Sequence, residues 1–105
     1  MQDLVKIVVT VPEADADKLR QVIGDAGGGE LGNYSHASFS SKGTGRFLPQ
    51  ADAKPAVGEV GKPEAVAEER IEVTCEKAKL EQVLEAIRAN HPYEEPVIDV
   101  YALLN

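Results

Sequence analysis

The chain has 105 residues, with 11 basic and 18 acidic side chains, 43% hydrophobic residues and 5% aromatics, which is enough apolar material for one modest core and too little length for two domains. A formal charge of −7 repels phosphate backbones and anionic bilayers, so nucleic acid and membrane surfaces are not expected partners, and no apolar run is long enough to cross a bilayer. Cys75 is the single cysteine, which precludes an intrachain disulfide and a multi-cysteine metal site; with no basic segment followed by a long apolar one at the N-terminus, a cytoplasmic protein is expected.

Leu4 to Val11 reads LVKIVVTV, β-branched and apolar with little alternation, the pattern of an internal strand. Pro12 and Glu13 then open an amphipathic helix in which Ala16, Leu19, Val22, Ile23 and Ala26 recur at helical spacing, and Gly27, Gly28 and Gly29 end it. Tyr34 to Ser41 alternates with the period of a strand, although only Phe39 is a firm core residue, and Gly43-Thr44-Gly45 is expected to turn the chain. Residues 46–65 are a connection rich in Pro, Ala and Gly, with room for short strands around 45–48 and 56–60 and for a protrusion towards a neighbouring subunit.

Glu68 to Cys75 alternates again, setting Ile71, Val73 and Cys75 against Arg70, Glu72 and Thr74. Over 77–90, Leu80, Val83, Leu84 and Ile87 form a helical stripe that Pro92 stops, and Val97 to Leu104 supplies a last strand. The expected architecture is α+β: a ferredoxin-like sandwich over residues 1–105, with a mainly antiparallel sheet and two helices on one face. The other sheet face is then polar or covered by oligomerisation, and the apolar first and last strands favour the cover.

Charge is uneven along the chain. Residues 31–62 carry four bases and two acids, whereas the segments on either side carry three against six and four against ten. Lys42, Arg46, Lys54 and Lys62 therefore form a locally basic centre that could attract a small anion or an acidic surface. Within it, Lys42, Gly43, Thr44, Gly45 and Arg46 combine cations, a hydroxyl and glycines whose amides could converge on an anion, without the spacing of a Walker motif. His36 and His91, with Glu94 and Glu95 directly after the second, are a possible set of ligands for a divalent transition metal. The structural alternative is a histidine bonded on a polar strand face and a HPYEEP segment that rigidly joins helix to strand. Cys75 reads as a buried structural thiol, and no Ser-His-Asp triad is assigned.

Gly32-Asn33-Tyr34-Ser35-His36-Ala37-Ser38-Phe39-Ser40, Gly43-Thr44-Gly45-Arg46-Phe47, Gly58-Glu59-Val60-Gly61 and His91-Pro92-Tyr93-Glu94-Glu95-Pro96 together carry a resemblance. The chain resembles the PII-like or CutA-like domain inserted into the dinuclear-metal, GTP-cyclohydrolase-type-2-like family, and its stand-alone bacterial versions. The resemblance implies a ferredoxin-like fold and a homotrimer with its sheets facing inward. It does not imply the enzyme's activity, because the paired metal site of that family is held by the flanking lobes. The likeness to CutA proteins makes copper or zinc the metal of interest should the histidines be ligands. The leading expectation is a non-catalytic homo-oligomeric module that binds a divalent metal or a small anion; a structural module that recognises a protein partner, and a residual nucleotide or phosphate hydrolase, are the alternatives.

Overall fold

The computed structural model describes residues 3–105. Strand β1 (Leu4–Pro12) leads into helix α1 (Glu13–Asp25); strands β2 (Phe39–Phe47) and β3 (Glu64–Glu76) follow, then a 3-10 turn over Lys77–Lys79, helix α2 (Leu80–Asn90) and strand β4 (Ile98–Ala102). The sheet is antiparallel in the order β2-β3-β1-β4, so β1 is internal, as its apolar run predicts. This is the expected ferredoxin-like α+β arrangement.

Register assigns the faces. Ile7 lies opposite Val73 and Val100, and Val9 opposite Ile71 and Ile98, so these residues share the face that the helices cover. Val5, Ile7, Val9 and Val11 of β1 and Ile71, Val73 and Cys75 of β3 pack there against Ala16, Leu19 and Ile23 of α1 and Val83, Leu84 and Ile87 of α2. Buried aliphatic side chains of this size each stabilise the fold by about 1.5–3 kcal/mol. Arg20 ties α1 to the sheet at one edge of this layer, bonding Glu69 of β3, Ser40 of β2 and Asp17 of its own helix.

The opposite face is more polar than the expectation of an apolar cover required. It carries Lys6 and Thr10 from β1, Glu68, Arg70, Glu72 and Thr74 from β3, and Asp99 and Tyr101 from β4, with Val8 buried among them. Most of the apolar side chains of β1 belong to the helix side, because a pleated strand sends alternate residues to opposite faces.

Helix α1 is entered from Pro12, the last residue of β1 and the N-cap, with Glu13 and Asp15 in the first turn where the helix dipole favours acids. It ends in a Schellman motif: the Gly28 amide bonds the Ile23 carbonyl, the Gly27 amide bonds the Gly24 carbonyl, and Gly27 sits at φ +111°. Helix α2 stops at His91, which is extended because Pro92 follows.

Two elements differ from the sequence reading, and Phe39, expected in the core, is exposed at the start of the edge strand. Strand β2 starts at Phe39 and runs through Gly43-Thr44-Gly45 to Phe47, so those residues are mid-strand where a turn was expected. Pairing with the long β3 strand holds them extended: Gly43 lies opposite Glu68 and Gly45 opposite Val66. Tyr34 to Ser38 lies outside the strand, closed by a bridge between Leu31 and Tyr34. The connection over 48–63 contains no strand, so the short element considered near 56–60 is absent.

Candidate ligand cleft

A cleft of about 650 Å³ lies where β2, the connection after it and the HPYEE segment meet, a size in the range of small-molecule sites. Ser41 to Phe47 of β2 form one wall, Leu48, Pro55 and Val57 of the connection another, and Tyr93, Glu94, Glu95 and Val97 a third; Thr10, Glu68 and Arg70 on the polar sheet face also line it. Leu48, Val57 and the rings of Phe47 and Tyr93 make a largely apolar lining, with charged groups at a few points.

The HPYEE segment is held by His91. This side chain is 8% exposed, and its Nε2–H donates to the Thr10 carbonyl (2.8 Å) while Nδ1 accepts from the Tyr93 amide (3.0 Å). Those two partners fix the neutral Nε2–H tautomer. The bonds place the Tyr93 ring 5.2 Å from the His91 ring and edge-on to Phe47 at 5.7 Å. The Tyr93 hydroxyl donates to Glu68 Oε2 at 2.7 Å. Burial above all, and then that hydrogen bond, raises the Tyr93 phenol above its ordinary value, so it stays a donor at neutral pH. Glu94 Oε1 accepts from the Lys54 amide at 3.0 Å and joins the connection to this segment.

Glu68 is 6% exposed. Its carboxylate fills the space that a side chain at residue 45 would take: a Cβ on Gly45 would lie 2.2 Å from Glu68 Oε1. Replacing Tyr93 by phenylalanine removes the only hydrogen bond this carboxylate makes with a side chain among the described residues. We expect a loss of about 1–3 kcal/mol in stability, read from urea unfolding, with the α+β circular dichroism spectrum retained.

The structure does not bring the expected metal set together within one chain. His36 packs over Gly24 near the C-terminal end of α1, and its nitrogens lie 2.9 Å from Ser35 Oγ and 2.9 Å from Asp25 Oδ1. His91 is bound to Thr10, before the start of the same helix. A helix of 13 residues separates them by about 20 Å. In addition, His91 has no free nitrogen lone pair, and no group of three His, Cys, Asp or Glu residues that could hold a metal occurs among the described residues. Glu94 and Glu95 line the cleft, away from His36.

Ser35, His36 and Asp25 form a hydrogen-bonded row on the surface, outside the cleft, that fastens residue 36 to the end of α1. His36 sits at φ 60°, a left-handed conformation that these local bonds support. The hydrogen bond from His36, with that from Gln21 second, lowers the Asp25 carboxyl below its usual range. A depressed acid stabilises the fold above its unfolded value, and that contribution is lost as pH falls through the folded one. Cys75 is buried, as expected, and burial pushes its thiol up, away from the reactive thiolate.

Of the anion candidates, Lys42, Gly43, Thr44, Gly45 and Arg46 all line the cleft, but in an extended strand their amides alternate in direction and make no concave nest. Lys42 and Arg46 have no ion-pair partner among the described residues. Arg70 adds a third cation, its Nε 3.3 Å from Glu72. Sequence reasoning missed Glu68 and Arg70 as members of one site. The signal lies in cross-strand register, which pairs Glu68 with Gly43 and Pro12, two residues without a long side chain to displace it.

No family model matches the chain. A GTP cyclohydrolase 1 type 2 homolog from Mycobacterium tuberculosis (strain ATCC 25618 / H37Rv) is 47% identical over 102 residues, 97% of this chain and 27% of the relative. The chain spans about a quarter of the length of the curated relatives it matches. The crystal structure of a Bacillus cereus protein related to NIF3 aligns with a TM-score of 0.85 and 44% identity, over 99% of this chain and 26% of that one. The periplasmic divalent cation tolerance protein CutA from Archaeoglobus fulgidus aligns with a TM-score of 0.70 and 18% identity, over 97% and 85%. A B. subtilis GlnK-ATP complex gives 0.65 and 20%, over 98% and 84%; at these identities the likeness is one of fold. No helix among the described residues is long and apolar enough to cross a membrane.

Proposed function

We propose that this chain, related throughout to one domain-sized segment of the GTP cyclohydrolase 1 type 2 homologs and folded like CutA and GlnK, is a non-catalytic binding module that takes a small organic anion in its cleft. The proposal covers residues 1–105 as one domain, working in the cytoplasm as a homotrimer. The observation that carries it is a local inversion of charge. In a chain of net charge −7, Lys42 and Arg46 belong to the β2 wall of the cleft and lack ion-pair partners among the described residues, while Arg70 lies on its sheet floor; register pairs Lys42 with Glu69 and Arg46 with Ala65, so these two side chains leave the edge strand on the other face from Arg70. Cations on both sides of the exposed β2 edge, beside a largely apolar cleft, attract an anion that the rest of the surface repels.

Two further observations support the reading. A fold neighbour, GlnK, was solved with ATP. Among the described residues the outer edges of β2 and β4 have no strand beside them, and Val97, Val100, Tyr101 and Leu104 are exposed at the β4 side, a surface suited to a second copy. The metal reading has no such support within one chain, since His36 and His91 are held apart.

Phenyl phosphate and ATP are the probes. We expect at least one to bind, with an affinity that falls as salt rises, and we expect the double substitution Lys42→Glu and Arg46→Glu to weaken it about tenfold or more, equivalent to about 1.4 kcal/mol. Isothermal titration measures both. Unchanged affinity in the double variant, or no binding of either probe to the parent chain, counts against an anion cleft.

A further inference from the structure

We infer that Glu68 is a recognition group for an amine: the anion that enters the cleft also carries a cationic or amino N–H donor, and Glu68 Oε1 receives it. The inference rests on the anion-cleft reading and names its ligand class. Three observations on Glu68 carry it.

Glu68 is nearly fully buried as a residue, at 6% exposure, yet no lysine, arginine or histidine pairs with its carboxylate among the described residues. Buried charges are ordinarily paired, because desolvation opposes them. Secondly, its one side-chain partner is the Tyr93 phenol, which occupies Oε2, whereas an ionised carboxylate offers about four acceptor sites. Thirdly, every buried side-chain nitrogen and oxygen among the described residues has a hydrogen-bond partner. Oε1 has none, so it is not sealed in the interior, and the space it meets is the cleft that Glu68 lines.

The acceptor is also held in place. Gly45 lies directly beneath it, leaving the space that a Cβ would occupy, and Tyr93, itself positioned by His91, anchors the second oxygen. A metal ion is the poorer match, since no group of three metal-binding side chains exists among the described residues. An ammonium or amino group needs only the one carboxylate, in a charge-assisted hydrogen bond. Arg70 stands two residues along the same strand face, about 7 Å away, so a ligand with an amine at one end and an anion at the other meets opposite charges across the cleft.

The test compares 4-(aminomethyl)benzoate with 4-ethylbenzoate, acids of similar shape that differ in the terminal ammonium. Ligand-observed NMR titration against the full chain should give at least tenfold tighter binding for the aminomethyl acid. Glu68→Gln should abolish that preference and leave the affinity for 4-ethylbenzoate unchanged. Tyr93→Phe, which keeps the carboxylate, should retain a preference and shows that loss in Glu68→Gln does not arise from a damaged fold. Equal affinity of the two acids for the parent chain overturns the inference, as does a preference that survives Glu68→Gln or failure of both acids to bind. Phenyl phosphate separates this failure from that of the underlying reading: its continued binding leaves the anion cleft standing, and its failure together with both acids removes both.

Discussion

Replacing Gly29 by alanine is expected to cost about 3 kcal/mol or more, the largest effect of any exposed or loop substitution considered. Gly29 sits at φ +79°, and a Cβ there would lie 2.3 Å from the Ala37 carbonyl oxygen and 2.6 Å from the Ala37 nitrogen. Both are backbone atoms fixed by neighbouring bonds, because the Ala37 amide donates to the Gly29 carbonyl and the Gly29 amide to Thr74. The clash cannot be relieved by turning a side chain. Gly32 provides the comparison: it also has positive φ, at 55°, but nothing lies within 4 Å of its would-be Cβ, so Gly32→Ala should cost only the conformational strain of about 1–2 kcal/mol. Urea unfolding of the two variants beside the parent chain measures the difference. Equal stabilities would contradict the close packing of 29 against 37 that leads the chain into β2 and hence into one wall of the cleft.

The second large effect is expected in the core. Ile7 is fully buried at the centre of β1, between Val73 and Val100 in register and beneath both helices. Ile7→Ala removes three carbon atoms and leaves a cavity that flanking strands cannot close, at a cost of about 2–5 kcal/mol. For a domain of this length each kcal/mol shifts the midpoint by about 4–8 °C, so thermal unfolding should show a fall of about 10 °C or more. Val8→Ala, on the opposite face between Glu72 and Asp99, removes less apolar volume and should cost less. The reverse order would mean that the polar sheet face, and not the helix side, holds the main core.

Periodicity made the helices and β1 legible, because burial on one face repeats every 3.6 or every two residues. Leu19 and Ile23, Val83 and Ile87, and Ile71, Val73 and Cys75 all occupy the buried positions that their spacing implies. The turn expected at Gly43-Thr44-Gly45 was misplaced because glycine marks either a turn or a strand without side chains, and only pairing with β3 decides between them. The same pairing explains why the candidate site was legible only in part. Lys42, Arg46 and Glu94 were singled out from charge and from the HPYEE segment, and all three line the cleft. Glu68 was hidden among the charged residues of an alternating strand. Its burial arises from Gly45 and Tyr93, which are far away in sequence and are brought beside it by register and by the His91 bonds. His36 and His91 illustrate the converse: two residues of the right chemical type, kept apart by the length of α1.

The central claim is that the wall of β2 and the HPYEE segment form one ligand site. Titrating phenyl phosphate into uniformly 15N-labelled protein and following backbone amide shifts by NMR tests it most directly. The account predicts saturable shifts at Gly43, Gly45, Phe47, Tyr93, Glu94 and Arg70, lost in the Lys42→Glu and Arg46→Glu double variant. Shifts confined to other surfaces, such as the ends of the helices around Asp25 and His36, or an absence of saturable shifts, would contradict it.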